Sequence, residues 1–304
     1  MSTTTDPRTT DSYARVARKL RGRPASDGAG VKLTRVIGSP ELDMLDPFLL
    51  LDEFGTDKAE DYLAGFPDHP HRGFETVTYM LDGRMRHRDN HGNEGLLVPG
   101  SVQWMTAGRG LVHSEMPEQQ EGRMRGFQLW VNLPKTNKMD APQYQEFPDA
   151  RMPRLQPAPG VEVKVIAGTV DGTRGPIEQP ATTPVYLDIT LAPSATWEHA
   201  LPAGHNAFAY VFEGSADTAA AKTHARWRRR NSRCSAANRW MRRATCGGTS
   251  CPRRRTASSR RSRIGWRIAL AKSPARPSSS RCRSVSQNGR LVKTSRPRSP
   301  RTPA

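Results

Sequence analysis

Two short-spaced pairs of residues carry most of the chemistry in this chain: His69 with His71, and His113 with Glu115. On a β-strand, residues i and i+2 point to the same face, roughly 7 Å apart along the chain. Two such pairs on neighbouring strands, facing one barrel interior, converge on a single ion. Imidazole nitrogens and a carboxylate oxygen approach a first-row metal at about 2.0–2.2 Å, taking zinc distances as the guide. Three nitrogens and one oxygen, with positions left for water or substrate, suit Fe(II), Cu, Mn, Ni or Zn, and the residue types do not choose among them. A single histidine is more often a packed or surface side chain, but two pairs embedded in β-type sequence favour a metal site. Pro70 holds the backbone extended between the first two ligands, and Gly73 leaves room beside them. Gly108-Arg109-Gly110 is a turn before the second pair; with no helix following, it is not a phosphate loop. His87 and His91 are weaker candidates, read as turn or supporting residues, and His199 and His205 as structural.

The segments that position these pairs are short and β-like. From residue 31 to 134, runs such as VKLTRVI, PFLLLDEF, FETVTYML, SVQWMTA and FQLWVNL alternate with Gly, Pro, Asp and Asn turns. That pattern predicts an all-β sandwich or barrel. Residues 1–30 read as a flexible arm, 135–160 as a Pro-rich connector, and 161–216 as the opening strands of a second, similar barrel. Residues 217–304 show no sustained period of 2 or 3.6 and read as an Arg-rich disordered tail.

The net charge of +18 belongs to that tail. Residues 217–304 carry 25 Lys/Arg against a single Asp, whereas the first 216 residues carry 22 Lys/Arg against 28 Asp/Glu. The abrupt change in charge, Arg/Lys ratio and cysteine use points to a shifted reading frame near residues 215–222. Such a tail attracts phosphate electrostatically whatever its origin, but specific nucleic-acid binding is not expected. Cys234, Cys246, Cys251 and Cys282 all lie there, so the folded part is not a disulfide-stapled secreted domain. The N-terminal sequence lacks a signal-peptide core and no run of about 18 apolar residues exists, so a soluble cytoplasmic protein is the expectation.

Two runs, HPHRGFETVTYMLDG from His69 and PGSVQWMTAGRGLVHSEMP from Pro99, strongly resemble the pirin family of the cupin superfamily. DPFLLLDEFG, GFQLWVNLP, PQYQE and PAGHNAFAYVFEG extend the resemblance across roughly residues 31–214. It implies a bicupin, two jelly-roll barrels of which the second is here incomplete, with one divalent metal, Fe(II) first, in the N-terminal barrel. It implies His69, His71, His113 and Glu115 as ligands, and places Glu75 as a supporting group or pocket wall. Phe74, Gln128 and Trp130 are the expected pocket residues beside it. The implied activity is that of a quercetin 2,3-dioxygenase: a flavonol and O2 as substrates, Glu115 as general base, ring opening with release of carbon monoxide. The alternative is a monomeric, non-catalytic metal-binding module that contacts a protein partner, as in transcription-cofactor pirins.

Overall fold

Alternating apolar residues punctuated by glycine turns become antiparallel strands along the computed structural model, which describes residues 16–200, 202, 204–218, 227–228 and 265–272. The first eleven are β1 (Arg23–Asp27), β2 (Val31–Ile37), β3 (Phe48–Thr56), β4 (Phe66–His71), β5 (Phe74–Asp82), β6 (Met85–Asp89), β7 (Glu94–Leu97), β8 (Val102–Thr106), β9 (Leu111–Pro117), β10 (Met124–Asn132) and β11 (Gln143–Phe147). They form a seven-stranded sheet, β1-β2-β3-β10-β5-β8-β11, and a four-stranded sheet, β4-β9-β6-β7. Then come β12 (Arg154–Ala158), β13 (Val161–Ala167), β14 (Thr169–Val170), β15 (Thr173–Arg174), β16 (Val185–Leu191), β17 (His205–Val211), β18 (Asp217–Thr218), β19 (Trp227–Arg228) and β20 (Gly265–Lys272). Five of them make a second antiparallel sheet, β12-β13-β16-β20-β17. Among the described residues the helical elements are three single 3-10 turns.

The centre of the seven-stranded sheet is buried on both faces, which is why β5 and β8 lack the polar alternation of a half-solvated strand. On one face Leu33, Phe54, Met80 and Met124 pack against Met85 and Leu97 of the four-stranded sheet. On the other, Val77, Tyr79, Trp104, Phe127 and Leu129 pack against Ile166, Ala167, Ile177 and Tyr186 of the second β region. Polar groups cross the same contact. Tyr79 donates to Asp188 Oδ2 (2.6 Å), and Lys164 Nζ donates to Tyr79 Oη (2.8 Å) and Asp149 Oδ1 (2.6 Å).

Three segments are more ordered than their composition suggests. Arg23–Asp27, within the expected flexible arm, pairs with β2 through a turn in which Gly28 and Gly30 have φ of 59° and 111°. The Pro-rich connector supplies β11, which pairs with β8 at one edge of the seven-stranded sheet, and β12, which pairs with β13 at one edge of the second sheet. Gly265–Lys272, expected in the disordered tail, lies between β16 and β17. Its sequence, GWRIALAK, alternates Trp266, Ile268 and Leu270 with other residues, a period-2 signal that the Arg-rich average conceals. The expectations for residues 1–15 and for the remaining tail, the shifted frame included, lie outside the described residues.

Because both faces of β10 are packed, its glycine is a steric requirement. A Cβ on Gly126 would lie 2.5 Å from Phe54 Cζ and 2.7 Å from the Tyr79 carbonyl oxygen. Gly126→Ala is therefore predicted to destabilise the fold by about 1–3 kcal/mol through overpacking. Chemical denaturation of the two proteins checks this, and an unchanged midpoint would refute it.

Candidate metal centre

Register brings the two pairs together. On the β4–β9 ladder His69 lies opposite His113 and His71 opposite Leu111, with an irregularity between Phe66 and His69. On the β9–β6 ladder Glu115 lies opposite His87, and His113 opposite Asp89. All six side chains therefore belong to one face of the four-stranded sheet. The ligating atoms of His69, His71 and His113 lie within 4.8 Å of one another.

The nitrogens are prepared for a cation. His69 Nδ1 is 2.7 Å from the Pro67 carbonyl oxygen, which only accepts, so Nδ1 carries the hydrogen and Nε2 is left to ligate. His113 Nδ1 is 3.4 Å from His87 Nδ1, whereas His113 Nε2 is buried with no hydrogen-bond partner. An orphaned buried nitrogen is costly unless something occupies its lone pair, and a metal ion fits that need. Burial pushes the His71 imidazole down to about 3; the neighbouring His113 and His69 add to this and Glu115 opposes it. Burial, then His69 and His87, likewise bring His113 down to about 3. Both rings are thus neutral near pH 7, the form that binds a metal.

Glu115, the expected fourth ligand, stands beside the group of three imidazoles rather than within it. Its carboxylate is fully buried, with Oε1 accepting from Thr78 Oγ1 (2.5 Å) and Oε2 from Gln128 Nε2 (2.6 Å). Two donors on the seven-stranded sheet hold it, one on each oxygen, and each oxygen keeps a second lone pair. Glu115 still faces the same space: a cavity of about 360 Å³ lined by His69, His71, Glu115, Gln128 and Trp130, with Leu33, Phe54 and Phe66 as apolar walls. Phe74 backs this wall, its ring 4.8 Å from Trp130 and 5.0 Å from His71.

Glu75 does not line the cavity. Strand alternation in β5 turns Thr76 and Thr78 toward the metal face and Glu75 toward the second β region. There it accepts hydrogen bonds from Thr106 Oγ1 (2.7 Å), Thr182 Oγ1 (3.4 Å) and Gln179 Nε2. Two residues beside the site were missed or ranked low in the sequence reading. Thr78 carried no signal beyond its parity. His87, read there as a turn or supporting residue, is fully buried beside His113, and its i, i+2 spacing to Asp89 was a third pair of the same kind as the other two.

Two antiparallel sheets closing around three convergent histidines define a cupin-type metal barrel. The family model described as Pirin matches residues 30–131. A pirin-like protein of Caulobacter vibrioides is 58% identical over 200 residues, covering 66% of this chain and 72% of its own length. Rat pirin is 45% identical, covering 67% and 68% respectively. A Pseudomonas aeruginosa protein whose name assigns it provisionally to the quercetin 2,3-dioxygenases is 56% identical, covering 67% and 73%. The chain belongs to the pirin family. Among solved structures, GK1651 of Geobacillus kaustophilus superposes with a TM-score of 0.64 at 27% identity, covering 88% of this chain and 99% of its own. The bacterial pirin YhhW of Escherichia coli, solved in complex with nickel(II), shares the fold with a TM-score of 0.54 at 17% identity, covering 84% and 96%.

The buried carboxyl of Glu75 gives this region a pH signature. Burial pushes it up from 4.5 to about 7, against the opposing hydrogen bonds of Thr106, Trp104, Thr182 and Gln179. Folded Glu75 thus keeps its proton where the unfolded chain has lost it. Its contribution to stability is complete below about pH 4 and is lost as pH rises through 7, on the order of 3 kcal/mol in all. Glu75→Gln mimics the protonated form, so its melting temperature relative to wild type should climb between pH 5 and 8. Parallel melting curves across that range would show that Glu75 is already ionised in the fold.

Proposed function

We propose that this chain is a metal-dependent flavonol dioxygenase of the quercetin 2,3-dioxygenase type, with His69, His71 and His113 as the metal ligands and Glu115 as the general base. The observation that carries the reading is the gathering of His69, His71 and His113 within 4.8 Å of one another beside an aromatic-walled cavity of about 360 Å³ that His69, His71 and the buried Glu115 line. Such a cavity suits a flat, largely apolar ligand held by a few polar groups. A divalent metal, Fe(II) on the family resemblance, would supply Lewis acidity and a route for reaction with O2.

The chain's own residues do the rest. Trp130, Phe66 and Phe54 offer apolar faces to the fused rings and exclude water. A Glu115 oxygen takes the proton of the flavonol 3-hydroxyl, provided that hydroxyl comes within about 3 Å of it. Thr78 and Gln128 fix the carboxylate from the opposite sheet, so proton transfer does not wait on its reorientation. The products of ring opening are carbon monoxide and an ester of two phenolic acid fragments, together containing both atoms of O2.

Metal analysis followed by anaerobic flavonol addition and O2 admission tests this. Wild-type protein is expected to hold about one metal per chain, to consume the flavonol and to release carbon monoxide. His113→Ala and His71→Ala should each lower metal affinity by at least ~100-fold, more than loss of a supporting hydrogen bond costs. Glu115→Gln should retain the metal and lose ~10²–10⁴-fold in turnover. Full metal occupancy with no carbon monoxide and no flavonol loss would instead make the site a binding module that does not turn over.

A further inference from the structure

We propose that His87 is a positioning residue for the metal centre: it fixes His113 in the tautomer whose Nε2 lone pair is free to ligate, and Gln103 holds His87 in turn. This rests on the metal-site reading above and concerns a residue that the three-histidine group does not include.

His87 on β6 lies opposite Glu115 in the ladder and is fully buried, its ring centroid 5.1 Å from that of His113. Gln103 Nε2 lies 2.9 Å from His87 Nδ1, and the amide nitrogen can only donate. His87 Nδ1 is therefore the acceptor, and a neutral ring then carries its hydrogen on Nε2. The other neighbour of His87 Nδ1, at 3.4 Å, is His113 Nδ1, which must be a donor as well. With its hydrogen on Nδ1, His113 has its lone pair on Nε2, the buried nitrogen that lacks a partner.

On the far side of the ring, His87 Nε2 is 3.8 Å from Asp89 Oδ2, too far for a hydrogen bond, so the ring is anchored through Nδ1 by Gln103. Asp89 is itself immobilised by the turn that follows β6. Its Oδ1 accepts the backbone N–H of His91 (2.9 Å) and Asn93 (3.0 Å), and its Oδ2 accepts Asn93 Nδ2 (2.8 Å). Gln103 thus orients His87, and His87 a ligand, while the turn keeps the Asp89 carboxylate beside them. Groups of this kind set ligand tautomer and ring orientation, and their loss typically costs ~10–100-fold in metal affinity.

The test is Co(II) titration of the full chain, its His87→Phe variant and its His87→Asn variant, read by the visible absorption bands and by competition with a chelator. Phe fills the space without an acceptor, whereas Asn Oδ1 stands close to the place of the lost Nδ1. His87→Phe should bind Co(II) ~10–100-fold more weakly with altered bands, and His87→Asn should recover most of the affinity. Metal-free melting temperatures within a few degrees of one another would confirm that the variants fold. Wild type that binds Co(II) while His87→Phe binds it equally well, with the same bands, overturns this inference alone. Wild type that binds none overturns the metal reading and this inference together. Should His87→Phe fail to fold, nitrogen-15 NMR of the zinc-loaded wild type decides: a His113 hydrogen on Nδ1 supports the assignment, and one on Nε2 overturns it.

Discussion

The rest of the molecule depends on one constraint: the central strands β5 and β10 have no side facing water. Each side chain on them belongs either to the metal barrel or to the contact with the second β region, and a shift of one residue would exchange the two sets. In β10, Gln128 and Trp130 face the cavity while Phe127, Leu129 and Val131 join the opposite core. In β5, Thr78 reaches Glu115 while Val77 and Tyr79 pack the other way. The ladder that aligns Gln128 with Thr78 also aligns Val131 with Glu75. The site and the contact between sheets are therefore two readings of one register.

Burial on both faces also decides the electrostatics. On the metal side, desolvation strips protons from His71 and His113; on the other, it keeps one on Glu75. The same physical term acts with opposite sign because one group is charged when protonated and the other when deprotonated. Both outcomes are neutral, as a doubly covered sheet requires. The Glu115 carboxylate is held by two neutral donors, whereas the acids at the cavity wall are paired. Arg35 donates to both carboxylate oxygens of Asp52 (3.0 and 2.7 Å) and to Asp27 (2.6 Å), both of which line the cavity.

Much of this was legible in the residues. The i, i+2 pairs at His69 and His113 specified one face each, and the β-type runs around them specified the barrel. Parity within a strand was legible too, but which parity faced the metal was not, because a sheet buried on both sides shows no polar alternation to label its faces. That is why Gln128 and Trp130 could be placed on one face together without saying which face it was. Thr78 was invisible for a related reason: a threonine in a strand is ordinary until a carboxylate from a neighbouring sheet is known to need its hydroxyl. Composition misled where it was averaged, hiding the strand at Gly265–Lys272 within an Arg-rich segment and the strand at Arg23–Asp27 within a polar arm.

The two sheets of the barrel divide the work. All three candidate ligands come from β4 and β9 of the four-stranded sheet, and the group that orients His113 comes from β6 of that same sheet. Apart from Phe66, the apolar cavity walls and the two donors that hold Glu115 come from β2, β3, β5 and β10 of the seven-stranded sheet. A change in the walls can therefore alter what the cavity accepts without disturbing what the ligands hold. Glu115 is the exception, since it stands on the ligand strand but is fixed by the wall. That position couples the two halves: any movement of β10 relative to β9 reaches the carboxylate before it reaches an imidazole. The three-histidine cluster is thus the more robust feature of this fold, and the setting of the Glu115 carboxylate the one most exposed to how well the sheets are packed.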